Sequence, residues 1–190
     1  MQANIADYLE KYGFAPTLME IVANVWMLRA YERFHLKHEL CLWSWGGDSM
    51  TVTFCGHRDI VCPDKLTRQL RFVLCDLISE GADTFLLGGY GAFDSMAALA
   101  VRDLKSVYPH IRSTLVLAYL DRDYNAELHD DTIYPPLEGV PLRYAISKRN
   151  RWMVDSADVV VSYVTHSYGG AATTLRYAKQ KCKRIIQLVE

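Results

Sequence analysis

The chain has 190 residues, 51% of them hydrophobic, with 21 Lys and Arg against 22 Asp and Glu. That length suits one domain of ordinary size with a short appendage and a sizeable core. A formal charge of −1 and an isoelectric point near 6.6 exclude a generally basic nucleic-acid coat and an acidic disordered tail, but not a local basic pocket.

In chain order, residues 1–47 read as helices. Asn4 caps a short helix through Lys11 that Gly13 stops. Pro16 and Thr17 open a longer run with Leu18, Ile21, Val22, Val25 and Leu28 at helical spacing, which fades into a linker at Gly46-Gly47-Asp48. This extension is expected to serve a homodimer or to cover a pocket in the rest of the chain. From residue 50 the rhythm changes. Strands are predicted at 51–55, 84–89, 113–120, 158–164 and 184–189, with helices at 64–80, 94–108, 141–155 and 170–181 between them. Residues 121–138, with Pro135-Pro136, read as a long polar loop. Continuous apolar strands alternating with helices predict βαβ units. The expected fold is α/β: a Rossmann-like three-layer α/β/α domain over 50–190 with about five parallel strands in the order 3-2-1-4-5, plus the N-terminal helical extension.

No run approaches the roughly 18 apolar residues of a membrane span. The opening MQANIADYLEKYGF lacks the basic and apolar regions of a signal peptide, so the cytoplasm is the expected location. The five cysteines contain no CxxC pair, which argues against both a disulfide framework and a zinc knuckle. His35, His38, His110, His129 and His166 show no metal-ligand spacing, and no metal site is expected.

Ligands of open parallel sheets bind beyond the carboxyl ends of the strands, where strand order reverses. The loops that matter are therefore Gly56-His57-Arg58, Gly88-Gly89-Tyr90-Gly91-Ala92-Phe93-Asp94, and Thr165 to Thr174. Glycine lets backbone approach an anion closely, and a helix start offers free N–H groups and the positive end of the helix dipole. Two such helix starts at one sheet edge predict a ligand clasped between them. The GGYG run lacks the third glycine of GxGxxG, which disfavours NAD as a redox cofactor. Arg149 reads either as part of a solvated helix face or as a ligand contact. His57 suits capping or ligand contact equally. Asp94 suits either an N-cap at Ser95 or acceptance of a ribose hydroxyl.

Three stretches, TVTFCGHRDI (51–60), GADTFLLGGYGAFDSMAALAV (81–101) and SKRNRWMVDSADVVVSYVTHSYGGAATTLRYAKQK (147–181), resemble the SLOG superfamily. This Rossmann-like group includes the DprA/Smf proteins and the LOG phosphoribohydrolases, and within it the likeness is to the small bacterial YpsA-like, DUF1273-type proteins. The resemblance implies a pocket for a nucleotide or a nucleotide-derived ligand such as an ADP-ribose derivative. By family position, Gly88, Gly89, Gly91 and Asp94, then Gly169, Gly170 and Thr173, hold phosphate and ribose. Arg149 stands at the arginine of the RK-x-x-M motif, four residues before Met153.

LOG enzymes carry PGG-x-GT-x-x-E, and here the glutamate position is Arg176 and the second-turn glycine is Ala172. An arginine can bond phosphate but cannot stabilise an oxocarbenium-like centre. The expectation is thus a binder that senses or sequesters its ligand and requires no cofactor. The alternatives are an N-glycosidase using Asp94 or Glu138, and a DprA-like single-strand binder using Tyr90, Phe93, Tyr168 and Arg58. Nucleic acid is the less expected partner, and no membrane is expected.

Overall fold

The computed structural model describes residues 49–60, 63–121, 124 and 126–189. The predicted extension over 1–47, with its proposed roles in dimerisation or as a lid, lies outside the described residues, as do Cys41 and Cys62.

Six parallel strands form one sheet: β1 (Met50–Gly56), β2 (Ala82–Leu87), β3 (Arg112–Val116), β4 (Asp131–Ile133), β5 (Val159–Tyr163) and β6 (Arg184–Gln187), in the order β4-β3-β2-β1-β5-β6. Among the described residues four α-helices link the strands, α1 (Pro63–Ser79), α2 (Ala92–Lys105), α3 (Leu142–Ser156) and α4 (Gly169–Gln180), and a 3-10 turn (Ala126–Leu128) lies between β3 and β4. The five predicted strands and their 3-2-1-4-5 order stand. The sixth strand, β4, lies within the segment read from sequence as a loop. It has only three residues, all exposed, and pairs with β3 at Leu115↔Thr132. Residues so short and polar carry no strand period. The strand exists because Leu117 N–H donates to Ile133 O (2.8 Å) and the Asp130 carboxylate accepts from Ser113 N–H (2.9 Å).

Strand periodicity explains the layers, because successive side chains point to opposite faces. On β1 and β5, Val52, Phe54, Val159, Val161 and Tyr163 join the large core under α1 and α2, together with Leu70, Leu74, Phe93, Ala97 and Val101. Cys55 and Val160 point the other way and meet Val154 of α3 and Leu175 and Ala178 of α4. Leu86 and Val116 meet Met153 of α3 on that same face. Both faces of the sheet are therefore covered, as an all-parallel sheet requires.

From β1 the chain runs to β2, β3 and β4 on one side, then crosses to β5 and β6 on the other. The reversal falls between β1 and β5, so the loops after those two strands face each other across a crevice. Gly56 ends β1 against the Phe93 ring: a Cβ built there would lie 2.2 Å from Phe93 Cδ1. Phe93 is wholly buried and sits edge-on to Phe54, so it has nowhere to retreat. Gly56→Ala is expected to destabilise the domain by about 1–3 kcal/mol through overpacking, measured by urea denaturation.

Candidate functional site

A cavity of about 560 Å³ opens beyond the carboxyl ends of β1, β2 and β5. Its walls come from the loop after β1 (Gly56, His57, Arg58, Asp59), the turn after β2 (Gly88, Tyr90, Gly91, Asp94) and one stripe of α3 (Ile146, Arg149, Asn150, Met153). The fourth wall comes from Thr165, His166, Gly170, Ala171 and Thr174 around the start of α4. Of the residues singled out from sequence, Gly56, His57, Arg58, Gly88, Gly91, Asp94, Arg149 and Gly170 are thus gathered around one space. Gly89, Gly169, Thr173 and Arg176 are not on its wall. A Cβ on Gly89 would point at Leu115 and Tyr124. The Thr173 hydroxyl folds back to Gly169 O (2.9 Å), and Arg176 is exposed on the outer face of α4.

The family position falls one residue short of the threonine on the wall. Thr174, not Thr173, faces the cavity, with its hydroxyl donating to Gly170 O (2.9 Å) and accepting from Asn150 Nδ2 (3.3 Å). Asn150 was also passed over in favour of its neighbour. The signal was available, since Ile146, Arg149, Asn150 and Met153 follow the i, i+3, i+4, i+7 stripe of one helix face. Tyr90, Thr165 and His166, which belong to loops already marked in the sequence, complete the wall.

Arg149 is no solvated helix-face charge, for it is 2% exposed. Its Nη1 donates to Gly88 O and to Val116 O (2.9 Å), which ties α3 to the ends of β2 and β3. The guanidinium also lies 5.5 Å from the Tyr90 ring centroid. Gly88 is required for this packing, because a Cβ there would lie 2.1 Å from Arg149 Nη1. Asp94 does not N-cap a helix beginning at Ser95. It sits in the first turn of α2, whose N-cap is Gly91, and its Oδ2 accepts from Tyr90 N–H (2.9 Å). Burial raises the Asp94 pKa, while Arg149 and the N–H groups of Tyr90, Gly88 and Gly89 pull it back. A carboxylate so engaged holds the glycine turn and fills the anion position at that turn from within the chain.

The start of α4 differs. Tyr168 is its N-cap residue and supplies no side-chain cap, and no acidic residue stands in the first turn. Its Gly170 and Ala171 line the cavity, and Gly169 takes φ +87° to turn the chain into the helix. This wall carries the uncompensated positive end of a helix dipole. The neighbouring Cys55 is no nucleophile: burial pushes its thiol up to about 12, and Sγ donates to Ala171 O (3.2 Å).

His57 is fixed by two bonds across the crevice. Its backbone N–H donates to Tyr163 O (3.2 Å), and its Nε2 accepts from Thr165 N–H (2.9 Å). The second bond requires a neutral ring protonated at Nδ1. His166 stacks on it at 3.7 Å, and Tyr168 stacks on His166 at 4.1 Å. Among the described residues, no three His, Cys, Asp or Glu side chains converge on a metal-sized site, and no helix is long and apolar enough to cross a membrane.

No family model matches the sequence. Among solved structures, the chain is similar to DNA processing protein A from Helicobacter pylori, a single-stranded DNA-binding protein, at 18% identity and a TM-score of 0.53. That match covers 74% of this chain and 66% of the other. It is similar also to DNA processing protein A (DprA) from Streptococcus pneumoniae, at 18% identity and a TM-score of 0.56, over 75% of this chain and 51% of that one. A third likeness is to the protein designated TM1055, at 16% identity and a TM-score of 0.52, covering 72% of each chain. The chain therefore spans about half to two thirds of the DNA processing proteins it matches. These likenesses show the fold, a Rossmann-like α/β fold shared with those structures. The SLOG resemblance, and the narrower YpsA-like one within it, rest on the sequence motifs.

Two outcomes are expected. Gly88→Ala should displace the Arg149 guanidinium and cost about 1–3 kcal/mol of stability, while Gly170→Ala, whose Cβ meets open space, should cost nothing in the same denaturation series. The His57 pKa is lowered from the ordinary 6.5 by partial burial and by His166. The unfolded chain takes up this proton at about 6.5 and the folded chain only at lower pH. The contribution is therefore present above that value and lost as pH falls through the folded one. NMR titration of the His57 ring should show the depressed value, moving up toward 6.5 in His166→Ala.

Proposed function

We propose that this domain binds a small phosphorylated ligand of the nucleotide type, with its phosphate on the N-terminus of α4 and its sugar in the cavity between α4, α3 and the turn after β2. The observation that carries the reading is the start of α4, which faces the cavity with no side-chain cap and no carboxylate in its first turn. Anions bind such helix starts through free N–H groups and the helix dipole. Arg58, exposed at the cavity rim, adds a charge-assisted partner for a phosphate. Asn150 and Thr174 offer hydroxyl and amide partners for a sugar. The two-sided clasp read from sequence thus narrows to one phosphate wall, because Asp94 already occupies the other glycine turn.

The site favours holding a ligand over cleaving it. N-glycosidic cleavage asks for a carboxylate free to stabilise positive charge or move a proton. Of the carboxylates on the wall, Asp94 is engaged by the glycine turn, and Asp59 is exposed at the rim beside Arg58. Glu138 and Arg176 are exposed and off the wall. The neighbours that process DNA keep single-strand binding open as a second reading. Of the aromatics expected for it, however, Phe93 is buried in the core and Tyr90 packs against Tyr124.

A thermal-shift screen with mononucleotides, ADP-ribose and ribose 5-phosphate tests the reading. A ligand at 100 times its dissociation constant adds about 2.7 kcal/mol, a rise of about 5–10 °C for a chain of this size. Gly170→Asp places a carboxylate in the first turn of α4, where it suits the helix but repels a phosphate. It should leave the unliganded Tm unchanged or slightly higher and abolish the shift. No shift with any phosphorylated compound, or an undiminished shift in Gly170→Asp, would overturn the proposal.

A further inference from the structure

The rings of His57, His166 and Tyr168 form a ladder that spans the crevice between the β1 and β5 loops. His57 and His166 lie 3.7 Å apart with planes 24° from parallel, and His166 and Tyr168 lie 4.1 Å apart at 17°. Its inner rung is held by Thr165 N–H and by the edge of Tyr163, 6.2 Å away. Its middle rung is held by the contact between His166 Nδ1 and Tyr168 O (3.1 Å). The outer rung, Tyr168, has one face on His166, yet the residue is 71% exposed. No other ring lies on that outer face among the described residues.

This arrangement is not explained by packing. The large core lies under α1 and α2, and neither His166 nor Tyr168 belongs to it. Segment 165–170 is exposed throughout, so nothing forces three rings into register to bury them. The ladder instead stands beside the proposed phosphate wall, because Tyr168 is the residue immediately before the first helical N–H groups of α4. A ring already backed by a parallel ring is preorganised, and a planar ligand adding one more layer orders little further protein.

We propose that the outer face of Tyr168 is the stacking seat for the nucleobase of the ligand. This rests on the phosphate reading above and extends it: the site selects a base-bearing phosphate over a bare sugar phosphate. The seat accepts any base with an open π-face, so it sets ligand class and not base identity. A free mononucleotide and the end of a single strand present the same chemistry, and the probes below separate them.

Calorimetry would compare adenosine 5′-monophosphate, ribose 5-phosphate and a short single-stranded oligodeoxynucleotide on wild type, Tyr168→Ala, Tyr168→Phe and His166→Ala. Both substituted positions are exposed, so the fold is expected to survive, with Tm as the check. The expected result is that wild type binds the mononucleotide roughly 5- to 100-fold more tightly than ribose 5-phosphate. Tyr168→Ala should lose that margin while leaving ribose 5-phosphate binding unchanged. Tyr168→Phe should keep it, and His166→Ala, which removes the backing ring, should lose part of it. Tyr168-dependent binding of the oligonucleotide without the mononucleotide would uphold the seat and assign its base to a strand. Equal affinity for the mononucleotide and ribose 5-phosphate, or a mononucleotide affinity unmoved by Tyr168→Ala, would overturn the seat and leave the phosphate reading standing. If no probe binds, the phosphate reading falls, and the seat falls with it.

Discussion

The arrangement of the cavity depends on one buried guanidinium. Arg149 reaches from α3 to the carbonyls of Gly88 and Val116, beyond the end of β2 and at the end of β3, where an aliphatic side chain would leave both oxygens without its donor. A buried cation is tolerated only with such partners and with a negative charge nearby, and Asp94 supplies that charge from α2 across the glycine turn. Because Gly88 carries no Cβ, the guanidinium can lie directly against the backbone. One side chain thereby fixes the height of α3 above the sheet, the shape of the turn after β2 and the floor of the cavity.

That strut divides the glycine loops into two kinds. The turn after β2 is rich in glycine because it must accommodate Arg149 and return its N–H groups to Asp94, so its anion position is filled from inside. The turn before α4 has no such internal partner and opens on the same space. Sequence reading treats the two as equivalent, since each offers glycine at a helix start. They differ in whether a carboxylate three residues into the helix folds back on the turn, as Asp94 does in α2 and as no residue does in α4.

The crevice between β1 and β5 supplies the second distinctive element. Strand order reverses there, so loops distant in sequence are brought face to face, and His57 meets Thr165 and His166 across 108 and 109 positions of chain. A neutral histidine that accepts a backbone N–H belongs at such a place, because it joins the two loops through one hydrogen bond without burying a charge. The aromatic ladder grows from that joint.

The sequence by itself determined the layered α/β fold and the strand order, because both follow from short-range periodicity and from the few ways βαβ units can wind. It also located the three loops at the strand ends, since glycine, hydroxyl and basic residues cluster there whatever the detailed geometry. Tertiary structure alone decided which groups in those loops are spent and which are free. Arg149 and Asp94 read in sequence as possible ligand contacts, and both line the cavity while bonding to backbone; Asn150, Thr174 and His166 lie within the stretch 147–181 without being singled out there, and line the cavity as well. The short edge strand β4 likewise has no signature of its own and exists through pairing with β3. The physical reason is common to all of these. Periodicity and turn chemistry are local, whereas a hydrogen bond 61 residues long in sequence, from Arg149 to Gly88, is set only when the sheet has brought its ends together.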